Sequence, residues 1–346
     1  MGLEASFERV SLPLEFPFTI ARGTTTEAEN VIVTIEDDDG TVGVGGAGPS
    51  AHYGESPDTV EAVLPDLLSV VEEVGDPHQL ERIERRMRET IERNPGARCA
   101  VSIALHDLAA KQLGVPLYRY WGLDPGETVE SSYTIGIDDT ETMREKTELA
   151  VERGYGTLKV KLGTDRDVEI IETLRDVAPD ARLYVDANEA WTPREAVQKI
   201  ERLAAYDLEF VEQPVPAENP EGLRYVYERS ALPIAADESC ITLEDIPQIA
   251  DKCDVANLKL MKCGGLREAM RMVHAARAHG LQVMLGCMSE SNASIAAGCH
   301  LAPLLDYADL DGSLLLAEDP YDGVPMPGGL IDLESLDVDG TGVKEV

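Results

Sequence analysis

No stretch of the chain approaches the ~18 consecutive apolar residues that a membrane-spanning helix needs, so a helical membrane protein is excluded. Cysteine is sparse and unpatterned. The six cysteines (Cys99, Cys240, Cys253, Cys263, Cys287, Cys299) form no C-x-x-C pair. That excludes the usual zinc and redox motifs and predicts reduced core residues in a cytoplasmic protein. The first ten residues, MGLEASFERV, have neither a basic region nor an apolar core. They read as an edge strand, not as a secretory leader. Positive charge is scarce too: 30 Lys and Arg stand against 65 Asp and Glu, a net charge of −35, and only nine of the 30 are lysines. Nucleic acid and anionic membrane surfaces are therefore excluded as partners. Disorder is excluded as well, because 43% of the residues are hydrophobic and the patterning is periodic. The acid is spread along the chain, as in TIEDDDGT (34–41) and LESLDVDG (333–340). This predicts a halophilic protein, whose self-repulsion is screened in concentrated salt.

Up to about residue 55 the sequence reads as strands, with ENVIVTIEDDDGTVGVGGAG (29–48) turning at Asp39-Gly40. Gly43-x-Gly45-x-x-Gly48 has the form of a dinucleotide fingerprint. Pro49 follows and no amphipathic helix begins there, so it is not read as a nucleotide site. Helical patterns cover 57–74, 77–93 and 98–114. From about 129 the text changes. Eight short apolar runs (130–137, 157–163, 182–188, 208–214, 232–239, 255–261, 281–288 and 306–312) alternate with helical patterns, their starts roughly 22 to 28 residues apart. This predicts an α/β fold: a modified TIM barrel, (β/α)7β, over 123–314. An α+β capping domain spans 1–122 and is completed by the returning tail, 315–346.

Active groups of a parallel barrel sit at the C-terminal ends of its strands. Those ends carry Lys159 and Lys161, Asp186, Glu212, Asp237, Lys259, then Asp309 and Asp311. A lone Lys-x-Lys is usually a solvated strand face. Here each charge ends an apolar run, and the scarce lysines fall in strands 2 and 6, across the barrel mouth from each other. Asp186, Glu212 and Asp237 come from consecutive strands, and an all-oxygen ligand set favours Mg²⁺. A lysine near another cation and a metal should have a lowered pKa and serve as a base. Lys262 lies close by in sequence, but a surface lysine explains it equally well.

The Lys-x-Lys of KVK, the Asp of VDAN, the Glu of VEQP, the Asp of ADES and the Lys of NLKLMKCGG occur in order. With ALHDLAAKQLGVPLYRYWGL (104–123), they make the chain resemble the enolase superfamily, in its muconate-lactonizing-enzyme-like subgroup. The resemblance covers about residues 5 to 330; VGGAG (44–48) departs from the Gly-Glu-Ala of many members. It implies an isomerase with one Mg²⁺ per subunit and a two-base 1,1-proton transfer through a metal-stabilised enediolate. Lys161 would serve the D-configured α-carbon and Lys259 the L-configured one. Lys159 would hold down the Lys161 pKa and help bind the carboxylate. YADLDGS (307–313) and GCMSES (286–291) resemble dipeptide epimerases, in which the Asp-x-Asp pair, here Asp309 and Asp311, binds the substrate ammonium. A dipeptide and a homo-oligomer are the implied partners. A cycloisomerase or an o-succinylbenzoate synthase is the alternative, since those substrates carry no ammonium. Two loops, near Phe18 to Thr26 and Ala51 to Ser56, would close over the barrel. In that resemblance Arg22 occupies the place that holds a distal carboxylate. Thr134 and Glu290 are further candidates for substrate contact; His52 and Glu55 have no assigned role.

Overall fold

The computed structural model describes residues 2–346. Strands β1 (Leu3–Ile20) and β2 (Gly23–Asp37) form a long hairpin, and β3 (Val42–Ala47) adds to β2. The β2–β3 turn is tied by its own sequence. Asp37 accepts from the backbone N–H groups of Asp39 and Thr41, each at 2.9 Å, and Gly40 takes a positive φ of 80°. One face of the sheet buries Val31, Val33 and Ile35 against helices α1 (Pro57–Val74), α2 (Leu80–Thr90) and α3 (Pro95–Gln112). The glycines at 43 and 45 make that packing possible. A Cβ on Gly43 would lie 2.1 Å from the Ala104 carbonyl oxygen, and one on Gly45 2.2 Å from that of Ala100. The formal fingerprint is thus a strand–helix contact surface. The β1–β2 register shifts between Pro13 and Phe18, and the hairpin tip beyond that shift reaches the barrel.

Eight parallel strands follow in sequential order: β4 (Tyr133–Ile135), β5 (Thr157–Lys161), β6 (Arg182–Asp186), β7 (Leu208–Glu212), β8 (Ile234–Ala236), β9 (Val255–Lys259), β10 (Gln282–Gly286) and β11 (Tyr307–Asp309). A parallel bridge between Ser131 and Ala308 joins the last strand to the first. Helical segments fill the seven connections. β11 is followed by turns and a 3-10 turn at Pro327–Gly329, so the barrel is (β/α)7β as expected. The strands are shorter than the apolar runs that announced them. Lys161, Asp186, Glu212, Lys259 and Asp309 are the last residues of their strands, and Asp237 comes one residue after β8.

The two faces of each strand separate cleanly. Leu158 and Val160 join the large core under the outer helices. Inside the barrel, Tyr184, Phe210, Ala235, Val255 and Met284 form a plug with Tyr307. Tyr184 stacks on Phe210 at 4.4 Å between ring centroids, and Phe210 meets Tyr307 edge-on. The residues two positions further along the same strands, Asp186, Glu212, Asp237 and Asn257, stand above this apolar floor.

The tail touches both parts of the chain: Asp319 accepts from the Ser291 hydroxyl and the Asn292 N–H after β10 (2.7 Å each), while the tail's strands β12 (Tyr321–Asp322) and β13 (Lys344–Glu345) pair with each other and add nothing to the three-stranded sheet. Its anchor is Asp107 on α3. This fully buried carboxylate accepts from the N–H of Thr341 (2.7 Å), the N–H of Val44 (2.9 Å) and the Lys111 ammonium (2.7 Å). Among the described residues, no helix is long and apolar enough to cross a membrane.

Candidate active site

Nine buried charged or polar side chains converge at the C-terminal mouth of the barrel: Lys159, Lys161, Asp186, Glu212, Asp237, Asn257, Lys259, Asp309 and Asp311. Asp186, Glu212 and Asp237 each offer an oxygen within 4.8 Å of the others. The site has a regular construction. One oxygen of each carboxylate is held by a buried donor. Asp186 Oδ1 accepts from the N–H of Asn188 (2.8 Å), and Glu212 Oε1 from Asn257 Nδ2 (2.7 Å). Asp237 Oδ1 accepts from Lys262 Nζ (2.6 Å). The other oxygens face the lysines. Lys161 Nζ lies 2.7 Å from Asp186 Oδ2, and Lys259 Nζ lies 2.8 Å from Asp237 Oδ2. Lys159 Nζ lies 2.9 Å from Glu212 Oε2, out of hydrogen-bonding alignment, so that oxygen is buried without a hydrogen-bond partner.

Three buried carboxylates repel one another. Burial, then the charge of Asp186, pushes the Glu212 carboxyl up to about 8. Burial also opposes ionisation of Asp186, but Lys161 and Lys159 outweigh it and hold that carboxyl down at about 2. Asp237 is likewise held well below the ordinary carboxylate range, where Lys259 and Lys262 outweigh burial. An all-oxygen set that is crowded, buried and short of positive charge at Glu212 fits a hard divalent cation.

At Lys259 and Lys159 the neighbouring carboxylates work against the expected lowering of the lysine pKa. Burial lowers the Lys259 ammonium, but Asp237 outweighs it and carries the pKa well above the usual range. Lys159 is raised in the same way, burial being outweighed by Asp309, Glu212 and Asp186. The lysines here neutralise the carboxylates, and a cation in the triad would compete for the same oxygens. Their placement is as expected: Lys161 stands at the Asp186 end of the triad and Lys259 at the Asp237 end, with Glu212 between.

Asp309 and Asp311 differ in role. Asp309 Oδ2 bonds Lys159 Nζ (2.6 Å), and its Oδ1 accepts from the Ser132 hydroxyl (2.7 Å), which in turn accepts from the Tyr184 hydroxyl (2.6 Å). Asp311 Oδ2 accepts from the Thr134 N–H (2.6 Å), and burial together with Asp309 pushes its carboxyl up to about 7. Thr134, Asp309 and Asp311 line a cavity of about 450 Å³ with Lys159, Lys161 and Lys259. Phe18, Ile20, Arg22 and Tyr53 roof it from the first domain.

Arg22 reaches this mouth, but its guanidinium already meets Glu238 (2.8 Å), Glu189 (3.2 Å) and the Asn188 carbonyl (3.2 Å). His52 Nε2 lies 3.3 Å from the same Glu189. Glu55 lines the same cavity, and it accepts from the Gly96 N–H at the start of α3 (2.9 Å) and so ties the Ala51–Tyr53 turn to that helix. Glu290 lies outside the cavity lining. Its oxygens accept from the Met288 N–H (2.7 Å) and the Ser294 hydroxyl (2.6 Å), which hold the loop after β10. Lys262 is not a surface lysine. The single helical turn Leu260–Cys263 folds it back under β9, where the ammonium also donates to the carbonyls of Asp237 (2.6 Å) and Asn257 (3.0 Å). Asn257 went unread, although its spacing from Lys259 repeats Lys159-x-Lys161 and puts it on the same face.

Residues 3–122 match the family model for the mandelate racemase / muconate lactonizing enzyme N-terminal domain, and residues 142–327 the enolase C-terminal domain-like model. The chain is 40% identical over 346 residues to the L-Ala-D/L-Glu epimerase of Bacteroides thetaiotaomicron, covering 99% of this chain and 88% of that one. It is 37% identical to the hydrophobic dipeptide epimerase of Enterococcus faecalis, covering 90% of each. Among solved structures it is similar to the dipeptide epimerase from Enterococcus faecalis V583 complexed with Mg and L-Leu-L-Tyr. That match has a TM-score of 0.93 at 34% identity and covers the whole of both chains.

Proposed function

The chain belongs to the mandelate racemase / muconate lactonizing enzyme family of the enolase superfamily, and from that membership we propose that it is a Mg²⁺-dependent dipeptide epimerase. It inverts the α-carbon of the C-terminal residue. The observation that carries the reading is the placement of Lys161 and Lys259 at opposite ends of one carboxylate triad, with Asp309 paired to Lys159 and Asp311 lining the same cavity.

Asp186, Glu212 and Asp237 would hold the ion, one per subunit. Bound there, it would offset the negative charge that builds on the substrate carboxylate as the α-proton leaves. Lys159 binds that carboxylate from the strand-5 side. Of the two outer lysines, one starts neutral and takes the α-proton. The other starts charged and returns a proton to the opposite face, so charge balances and configuration inverts. Lys161 serves the D-configured carbon and Lys259 the L-configured one. The ammonium of the N-terminal residue meets the Asp311 carboxylate.

Incubation with a dipeptide library and Mg²⁺ in D2O tests this directly. Deuterium should enter the α-position of the C-terminal residue, and the other epimer should accumulate. Exchange confined to carboxylic acids without an amine would sink the epimerase reading and leave the cycloisomerase one.

The enzyme works in the cytoplasm as a homo-oligomer and is halophilic. The last point rests on the net charge of −35. Diluting salt from about 1 M to about 0.1 M lengthens the Debye length from about 3 Å to about 10 Å, which brings neighbouring surface carboxylates back into mutual repulsion. The melting temperature should fall by about 5 °C or more over that range, a loss of roughly 4 kcal/mol for a chain this long. An unchanged melting temperature would remove the halophile reading.

A further inference from the structure

We infer that Asn257 is a positioning residue for the metal ligand Glu212, an inference that rests on reading the carboxylate triad as a divalent cation site. Asn257 lies on β9, two residues before Lys259, and points to the same interior face. It is fully buried. Its Nδ2 donates to Glu212 Oε1 at 2.7 Å, while Glu212 Oε2, the oxygen on the Lys159 side, has no hydrogen-bond partner. The amide therefore fixes one oxygen and leaves the other free of hydrogen bonds in a residue whose carboxylate lies within reach of Asp186 and Asp237. The opposite amide orientation would set the Asn257 oxygen against an ionised carboxylate, so only one orientation suits a metal ligand.

Two neighbours keep the amide in place. Lys262 Nζ donates to the Asn257 backbone carbonyl (3.0 Å) and to Asp237 Oδ1 (2.6 Å), so one buried ammonium steadies the strand under Asn257 and the next ligand together. On the other side, β10 presents Gly286. A Cβ there would lie 2.8 Å from Asn257 Oδ1 and 3.2 Å from Lys259 Cε. Glycine leaves the slot that Asn257 fills. Asn257 Oδ1 has no hydrogen-bond partner of its own, so the residue's polar contact is spent on Glu212. Glu212 and Asn257 are both fully buried, where a hydrogen bond is electrostatically stronger than in water. Partners behind a ligand typically set metal affinity by 10- to 100-fold.

Asn257→Leu keeps the volume and removes the donor. Mn²⁺ binding is measured by electron paramagnetic resonance of the free ion, without substrate, on wild type and variant. The expected result is one Mn²⁺ per wild-type subunit and a Kd raised about 10- to 100-fold in the variant. The turnover lost at low Mn²⁺ should largely return at saturating Mn²⁺, as it would not if a group touching substrate had been removed. If Asn257→Leu does not fold, Asn257→Ser, which keeps a hydroxyl donor but shortens its reach, is titrated under the same criterion. A Kd within twofold of wild type in a folded variant overturns the proposal and leaves the metal site standing. A wild-type protein that binds no Mn²⁺ overturns both.

Discussion

Lys161→Ala and Lys259→Ala should each lower epimerisation by about 10²- to 10⁴-fold, the range that a positioned acid or base supplies, while each retains proton exchange from one face. The asymmetry follows from the geometry. Lys161 contacts Asp186 and Lys259 contacts Asp237, at opposite ends of the triad, and neither lysine touches the other's carboxylate. Removing one leaves the second able to take an α-proton and give back a deuteron on its own side, with retention. In D2O, Lys161→Ala should still exchange the L-configured dipeptide through Lys259, and Lys259→Ala the D-configured one through Lys161. Neither should accumulate the other epimer. Proton NMR of each epimer reads exchange, and a chiral separation reads inversion. Complete loss of exchange from both epimers in either single variant would mean that the two lysines act as one unit, and the two-base reading would fall.

That pairing was legible because barrel strands are short and end at the mouth. An apolar run that stops on a charged residue is itself a signal of position, and eight such runs at a regular spacing define the architecture. The hairpin at Asp39-Gly40 was legible for a similar local reason. What escaped depends on residues distant in sequence. Arg22 lines the cavity, but its partner is not readable from its neighbourhood in the sequence, since Glu238 holds it from 216 positions away. Glu290 looks like a mouth residue, but the close approach of Gly48, whose Cβ would lie 2.6 Å from Glu290 Cγ, shows it wedged between the capping sheet and the loop after β10. Lys262 looked superficial because one turn of helix after β9 reverses its direction. At Lys159 and Lys259 the outcome is electrostatic, the carboxylates outweighing burial. Proximity to a cation and to a carboxylate pull in opposite directions, and only distances decide between them.

Those distances alter the reading of a chain with nine lysines. Four of them, Lys159, Lys161, Lys259 and Lys262, are buried at one site. Burial of a lysine is costly unless it is paired, and each ammonium here has at least one carboxylate oxygen within 3 Å. Lys262 is saturated by three acceptors, which suits a fixed structural charge. Lys161 and Lys259 each have a single hydrogen-bonded acceptor and border the cavity, which suits groups that must exchange protons.

The same accounting separates the two aspartates of the last strand. Both oxygens of Asp309 are engaged, one by Lys159 and one by Ser132, so it serves first as the counter-ion that steadies Lys159. Asp311 has the Thr134 N–H on one oxygen and no ammonium partner, and burial with the neighbouring Asp309 raises its carboxyl to about 7. On the proposed reading, a substrate ammonium supplies the missing cation. Asp311→Asn should therefore raise KM for dipeptides about 30-fold or more, the lower end of the 2–5 kcal/mol lost when one partner of a buried charge pair is removed, with kcat changed only slightly. The preference for a free amine over an N-acetylated substrate should disappear with it. Asp309→Asn should instead lower kcat as well, because Lys159 loses its closest carboxylate. Asp311 must be ionised to bind an ammonium. A carboxyl raised to about 7 is ionised above that pH and protonated below it, so kcat/KM for dipeptides should fall as pH drops through about 7 in wild type. In Asp311→Asn the part of that fall centred near pH 7 should be lost, leaving only the fall set by the lysine bases. A pure KM effect in Asp309→Asn beside a silent Asp311→Asn would reverse the assignment. If both variants still prefer the free amine, the ammonium is held elsewhere, and the choice of dipeptides over simple acids loses its structural basis.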